Sequence, residues 1–170
     1  MEKLIKDWLE KISLKYNIQS SMNFYFGDLS LREKAFADLG FKENLSFPNK
    51  EISISHSKEI FVLLKIQGFN GVGIDLEFKQ RNYSKKLRNR IINLEEKEVV
   101  KDFDTLKIWT IKEALFKANP QNNNTIIKNY IIKNSELASF KSNNSEIIFE
   151  YLCLDLKDFY FSCAIKIYKM

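Results

Sequence analysis

At 170 residues the chain is sized for one domain. With 45% hydrophobic and 29% charged residues it can bury a core, which excludes disorder by composition. A net charge of +5 favours a partner bearing phosphates or carboxylates and is small for a nucleic-acid binder.

No run reaches the roughly 18 apolar residues of a membrane span. Glu2, Lys3, Lys6 and Asp7 interrupt the N-terminus where a signal peptide would be apolar. Cys153 and Cys163 lack metal-type spacing and read as reduced core residues, so a cytoplasmic protein is expected.

Leu4, Ile5, Trp8, Leu9 and Ile12 follow helical spacing and predict an amphipathic helix over 3–15. A second helix is expected from Ser30 to Leu39, with Ala35, Phe36 and Leu39 inward, Arg32 and Lys34 off that stripe, and Gly40 ending it. Pro48-Asn49 is a turn. In Glu51–Ser57 the apolar Ile52 and Ile54 alternate with serines, and Ile60–Ile66 is rich in strand formers. After the Gln67–Gly71 turn a third strand follows, so a meander is expected. Its clustered ends would bring Ser55, His56 and Ser57 near the third strand. His56 is the only histidine; taken alone it reads as a capping or packing residue.

That third strand, Gly71-Val72-Gly73-Ile74-Asp75-Leu76-Glu77, has the period of one buried face. Asp75 and Glu77 then share the other face, with Gly73 leaving room beside them. Two such acids repel unless a cation sits between them.

Residues 83–103 read as helical, with Leu87, Ile91 and Ile92 in one stripe and a capping-box-like restart at Asn93 and Glu96. The basic run Lys79, Arg81, Lys85, Lys86, Arg88 and Arg90 is either a solvated face or a greeting for an acidic protein. A strong helix is predicted over 106–118, closed by Asn119-Pro120. Ile108, Ile111, Leu115 and Ala118 point inward. Trp109, Glu113 and Lys117 lie opposite, where Glu113 and Lys117 alone would be an ordinary helical ion pair. Trp109 and Phe116 share that side, so the helix is covered twice or lines a cleft. Strands are expected at 128–133, 147–154 and 159–168, the last two as a hairpin.

Three signals thus fall in one order: Ile54-Ser55-His56-Ser57, then Gly73-Ile74-Asp75-Leu76-Glu77, then Trp109-Thr110-Ile111-Lys112-Glu113-Ala114 with Lys117 beyond. This combination resembles the 4′-phosphopantetheinyl transferase superfamily, in particular the surfactin-synthetase-activating type, here in a short single-chain form.

The resemblance implies an α+β fold: one domain over 1–170, built as a pseudo-dimer of two similar halves (about 1–68 and 71–170). Each half would lay helices on a small, mostly antiparallel sheet, with the active site in the cleft between them. It implies transfer of the 4′-phosphopantetheine arm of coenzyme A to a serine of an acyl or peptidyl carrier protein, releasing adenosine 3′,5′-bisphosphate. Asp75, Glu77 and Glu113 match the magnesium-binding carboxylates. Glu113 also matches the group that activates the carrier serine, and Lys117 the cation at the cleaved phosphate. Ser55 and His56 match positions at the nucleotide end of coenzyme A, and Lys112 is a further phosphate contact.

Members often carry a Gly-Lys-Pro segment before the Ser-His pair. Here Lys42, in Phe41-Lys42-Glu43, is the nearest candidate, with Lys50 after it. Arg32 is the candidate for the 3′-phosphate. A monomer acting without nucleic acid or membrane is expected. The alternative is a catalytically impaired coenzyme-A- or carrier-binding module of the same fold. A nucleic-acid binder using Lys79 to Arg90 would instead be strongly salt-sensitive and indifferent to magnesium.

Overall fold

The computed structural model describes residues 1–38, 40, 49–84, 86–123, 125–142 and 145–167. Helix α1 (Glu2–Tyr16) buries Ile5, Leu9 and Ile12, as its spacing predicts, and stops at Asn17 in the left-handed region. Strand β1 (Ser21–Asp28) follows, then a 3₁₀ turn at Leu29–Leu31 and the short helix α2 (Arg32–Asp38). Strands β2 (Ile52–Ser57) and β3 (Ile60–Gln67) complete a three-stranded antiparallel sheet of order β1-β3-β2.

The expected meander ends there. Strand β4 (Val72–Phe78) does not pair with β3 but opens a second sheet of order β4-β8-β7-β6-β5. The remaining strands are β5 (Tyr130–Ile132), β6 (Leu137–Ser142), β7 (Ser145–Asp155) and β8 (Phe159–Ile167), and every described pairing is antiparallel. Between β4 and β5 lie α3 (Leu87–Ile91), a 3₁₀ turn at Leu94–Glu96 and α4 (Thr105–Lys117).

The long helix expected over 83–103 is therefore one short helix and a run of turns. Asn93 does make the predicted capping box with Glu96, but on a 3₁₀ turn. Glu96 is committed elsewhere: it is fully buried, accepts from the Ile132 amide at 2.8 Å and pairs with Lys112.

The second sheet is the middle layer. On one side Val72, Ile74, Leu76, Phe161, Cys163 and Ile165 meet α1 and the inner face of the first sheet through Val62, Leu64 and Ile66. On the other side Ala164, Tyr151 and Phe149 meet α4 through Ile108, Ile111, Ala114 and Leu115. The alternation of β4 feeds both cores, with Val72, Ile74 and Leu76 toward the first and Gly73, Asp75 and Glu77 toward α4. Among the described residues no helix is long and apolar enough to cross a membrane.

Candidate active site between β4 and α4

Glycine sets the distance between helix and strand. A β-carbon at Gly73 would collide with the Ala114 carbonyl oxygen and the Ala118 amide, and one at Gly71 with the Ala118 carbonyl. The C-terminal half of α4 therefore lies directly on the backbone of β4. Two and four residues beyond Gly73, the same strand face carries Asp75 and Glu77, each only 6% exposed. Their carboxylates meet the helix side that bears Trp109, Glu113 and Lys117.

Each strand acid has a cation. Lys117 Nζ donates to Asp75 Oδ1 at 2.8 Å and to the Ile74 carbonyl at 3.1 Å. Ser55 Oγ donates to the same Oδ1 at 3.1 Å, while Asp75 Oδ2 is buried without a hydrogen-bond partner. Glu77 Oε1 accepts from Trp109 Nε1 at 3.1 Å and pairs with Arg81.

Glu113, half-buried, makes no hydrogen bond or ion pair among the described residues. Burial first, then the Asp75 charge, lifts its pKa from 4.5 to about 7; Glu77 adds to the rise, and Lys117 and Arg81 work against it. The sequence-predicted acids thus share one electrostatic site although strand and helix are well separated along the chain.

Among the described residues, no three His, Cys, Asp or Glu side chains stand in a ready metal-holding arrangement. The chemistry of the donors nevertheless suits a hard cation: Glu113 feels the charges of Asp75 and Glu77, and one buried oxygen, Asp75 Oδ2, has no hydrogen-bond partner.

Two grooves open along α4. One of about 300 Å³ is lined by Ile52, Ser53, Ile54, Phe116, Lys117 and Asn122. The other, about 230 Å³, is lined by Arg81, Asn82, Tyr83, Leu87, Leu106 and Trp109. Trp109 and Lys117 stand eight residues apart, about 12 Å along a helix. The α4 side with two aromatics is thus explained as the lining of two openings.

Other sequence candidates fall elsewhere. Lys112 is fully buried and pairs with Glu96. Burial pushes its ammonium below the usual range, and the Glu96 carboxylate opposes that shift. Ser55 is buried with its hydroxyl engaged twice, donating to Asp75 and accepting from the Leu76 amide at 3.0 Å. That hydroxyl has no second proton to give an anion.

His56 is exposed on the opposite face of β2, across the ladder from Phe61. Arg32 reaches the same face, its guanidinium 6.0 Å from the Phe61 ring and 5.6 Å from that of Phe36. Lys42 and Lys85 lie outside the described residues.

The basic run is not a uniform solvated face. Lys79 pairs with Asp155, Arg81 with Glu77, and Arg88 donates to the Phe103 and Val100 carbonyls at 2.7 and 2.9 Å. Arg81 and Ser53 are the site residues that sequence reasoning missed. Arg81 was visible only as one of many charges, and Ser53 only as an alternating serine.

The sequence profile of the 4′-phosphopantetheinyl transferase superfamily matches residues 71–158, more than half of the chain. The chain belongs to that superfamily. The matched stretch begins at Gly71 and contains Asp75, Glu77, Trp109, Glu113 and Lys117, the candidate site residues on β4 and α4. The antiparallel sheets and packed helices are compatible with the superfamily's fold. Its members transfer phosphopantetheine from coenzyme A to carrier proteins. None of the curated proteins matches the chain.

Proposed function

We propose that this superfamily member transfers the 4′-phosphopantetheine arm of coenzyme A to a serine of an acyl or peptidyl carrier protein. The observation that carries the reading is the convergence of Asp75, Glu77, Glu113 and Lys117 between β4 and α4, with two grooves opening along α4. Two substrates must meet at one phosphorus atom, and two grooves, one lined by Lys117 and the other by Arg81 and Trp109, suit that need. We read the protein as a single-chain, surfactin-synthetase-activating type of enzyme, with the halves of a pseudo-dimer meeting where β2 lies beside β4.

Asp75, Glu77 and Glu113 are the residues that would hold a magnesium ion. A bound magnesium ion would screen the pyrophosphate and let an anion approach three acids. In the transfer, the carrier serine oxygen attacks the phosphorus that bears the pantetheine arm. The bond from that phosphorus to the oxygen of adenosine 3′,5′-bisphosphate breaks.

Glu113, the helix acid beside Asp75 and Glu77, takes the serine proton. Lys117 faces the departing phosphate, where a compact ammonium neutralises the growing charge. We assign the groove lined by Ile52, Ser53 and Lys117 to coenzyme A, with His56 and Arg32 toward its nucleotide end. The groove beside Arg81 and Trp109 is left for the carrier.

The test is direct: incubate the protein with coenzyme A, magnesium and several apo carrier proteins, and weigh the carriers. A mass gain of one phosphopantetheine with release of adenosine 3′,5′-bisphosphate is expected. Tight coenzyme A binding without mass gain on any carrier would leave only the binding module.

A further inference from the structure

The two sheets touch along an unusual seam. Strands β2 and β4 lie side by side as edges of different sheets, without a backbone ladder between them. Serine hydroxyls bridge the gap instead. Ser53 Oγ accepts from the Ile74 amide at 2.9 Å and Ser55 Oγ from the Leu76 amide at 3.0 Å. Both serines are buried.

Ser55 does one thing more. With its oxygen bound to the Leu76 amide, its single proton goes to Asp75 Oδ1. Lys117 holds the same oxygen from the helix side. Two donors on Oδ1 fix the plane of the carboxylate and leave Oδ2 buried without a partner. A phosphate ligand at Ser55 would have to take that proton from Asp75.

From this geometry we infer that Ser55 is a positioning residue: it fixes the Asp75 carboxylate so that Oδ2 is presented to a divalent cation, and it does not touch the nucleotide. The neighbouring His56 is exposed on the opposite face of β2 and keeps the nucleotide-end role assigned to it above. The inference rests on the cation-binding part of the proposed function and not on the transfer itself.

The experiment separates the two residues with two readouts. Calorimetric titration with magnesium alone, in the absence of coenzyme A, measures cation affinity. The ratio of kcat/KM for coenzyme A over 3′-dephospho-coenzyme A measures contact with the 3′-phosphate. Ser55→Ala is expected to weaken magnesium binding about tenfold and leave the ratio unchanged. His56→Ala is expected to lower the ratio and leave magnesium binding unchanged. Ser55→Cys, closer in size and a weak donor, repeats the cation measurement should Ser55→Ala fold poorly.

Unchanged magnesium affinity in both serine variants would overturn the inference. So would a coenzyme A ratio that collapses in Ser55→Ala, or a wild-type protein that binds no magnesium. A wild-type protein that binds magnesium but modifies no carrier would refute the transferase reading alone. The calorimetric comparison would then still decide the role of Ser55.

Discussion

Lys117 Nζ and Asp75 Oδ1 stand 2.8 Å apart across the seam between helix and strand, 42 residues from each other in the chain. The lysine is a third exposed and its ammonium also reaches the Ile74 carbonyl, so one cation holds both the acid and the strand that carries it. Lys117→Ala should lower kcat about 100-fold or more, the scale of losing one preorganised charge at a developing anion. Steady-state kinetics with coenzyme A and an apo carrier measure it. A change confined to KM would contradict the assigned role.

Glu113 makes stability and activity pull in opposite directions. Its pKa is raised in the fold, from 4.5 to about 7, so between those values the folded state keeps a proton that the unfolded chain has lost. Stability therefore declines as pH climbs through that window and stays reduced above it. Glu113→Gln should remove the decline and make the protein more stable than wild type at pH 8, by up to about 3 kcal/mol. It should also abolish transfer. Urea unfolding at pH 5 and pH 8 reads the first effect, and carrier modification the second.

The same charges predict how a divalent cation stabilises the fold. Magnesium should raise the melting temperature more at pH 8, where Glu113 is ionised, than at pH 5, where it holds its proton. Thermal unfolding with magnesium and with chelator, at both pH values, makes the comparison. Equal shifts at the two pH values would exclude Glu113 from the cation site.

Gly73→Ala tests the close approach of α4. Its new methyl would meet backbone atoms of Ala114 and Ala118, which cannot swing aside as a side chain would. A loss of about 3 kcal/mol or more is expected, at the upper end for overpacking, readable as a lower denaturation midpoint. Any residual folded protein should also bind magnesium poorly, because moving α4 away parts Glu113 from Asp75.

Lys112→Met leaves Glu96 buried without its cation and should cost about 3–5 kcal/mol of stability. The folded fraction should keep the wild-type KM for coenzyme A, since Lys112 does not reach the grooves. A raised KM with unchanged stability would return Lys112 to the phosphate site.

Much of this was legible in the sequence. The alternation from Gly71 to Glu77 gave β4 and the shared face of its acids, and helical spacing gave α4 with Trp109, Glu113 and Lys117 on one side. Strand β1 was missed although Met22, Phe24 and Phe26 alternate, because a strand that pairs with a partner about 40 residues later leaves only a short local trace. Helical propensity over 83–103 was overridden by tertiary demand. Glu96 accepts from the Ile132 amide of β5, and Arg88 folds the stretch back on itself by donating to the Val100 and Phe103 carbonyls, which holds it in turns.

The break between β3 and β4 could not be read locally, since a short turn joins paired and unpaired strands alike. Lys112 and Lys117 show a similar limit. Five residues apart on one helix, they look equally basic in sequence, and only the position of each around the helix separates a buried strut from a site residue.

Helix α1 adds a consequence for how the chain can be cut. Its apolar side lies in the core between the sheets, and its last turn reaches the second sheet, where Lys15 and the Tyr16 hydroxyl hold Glu150 at 2.6 and 2.7 Å. The residues of α1 are thus anchored to a strand more than a hundred residues further along the chain. Removing them would strip a wall from the core of the C-terminal sheet as well, so the acids of β4 should fail in a fragment that begins at Gly71 even though every one of them is present.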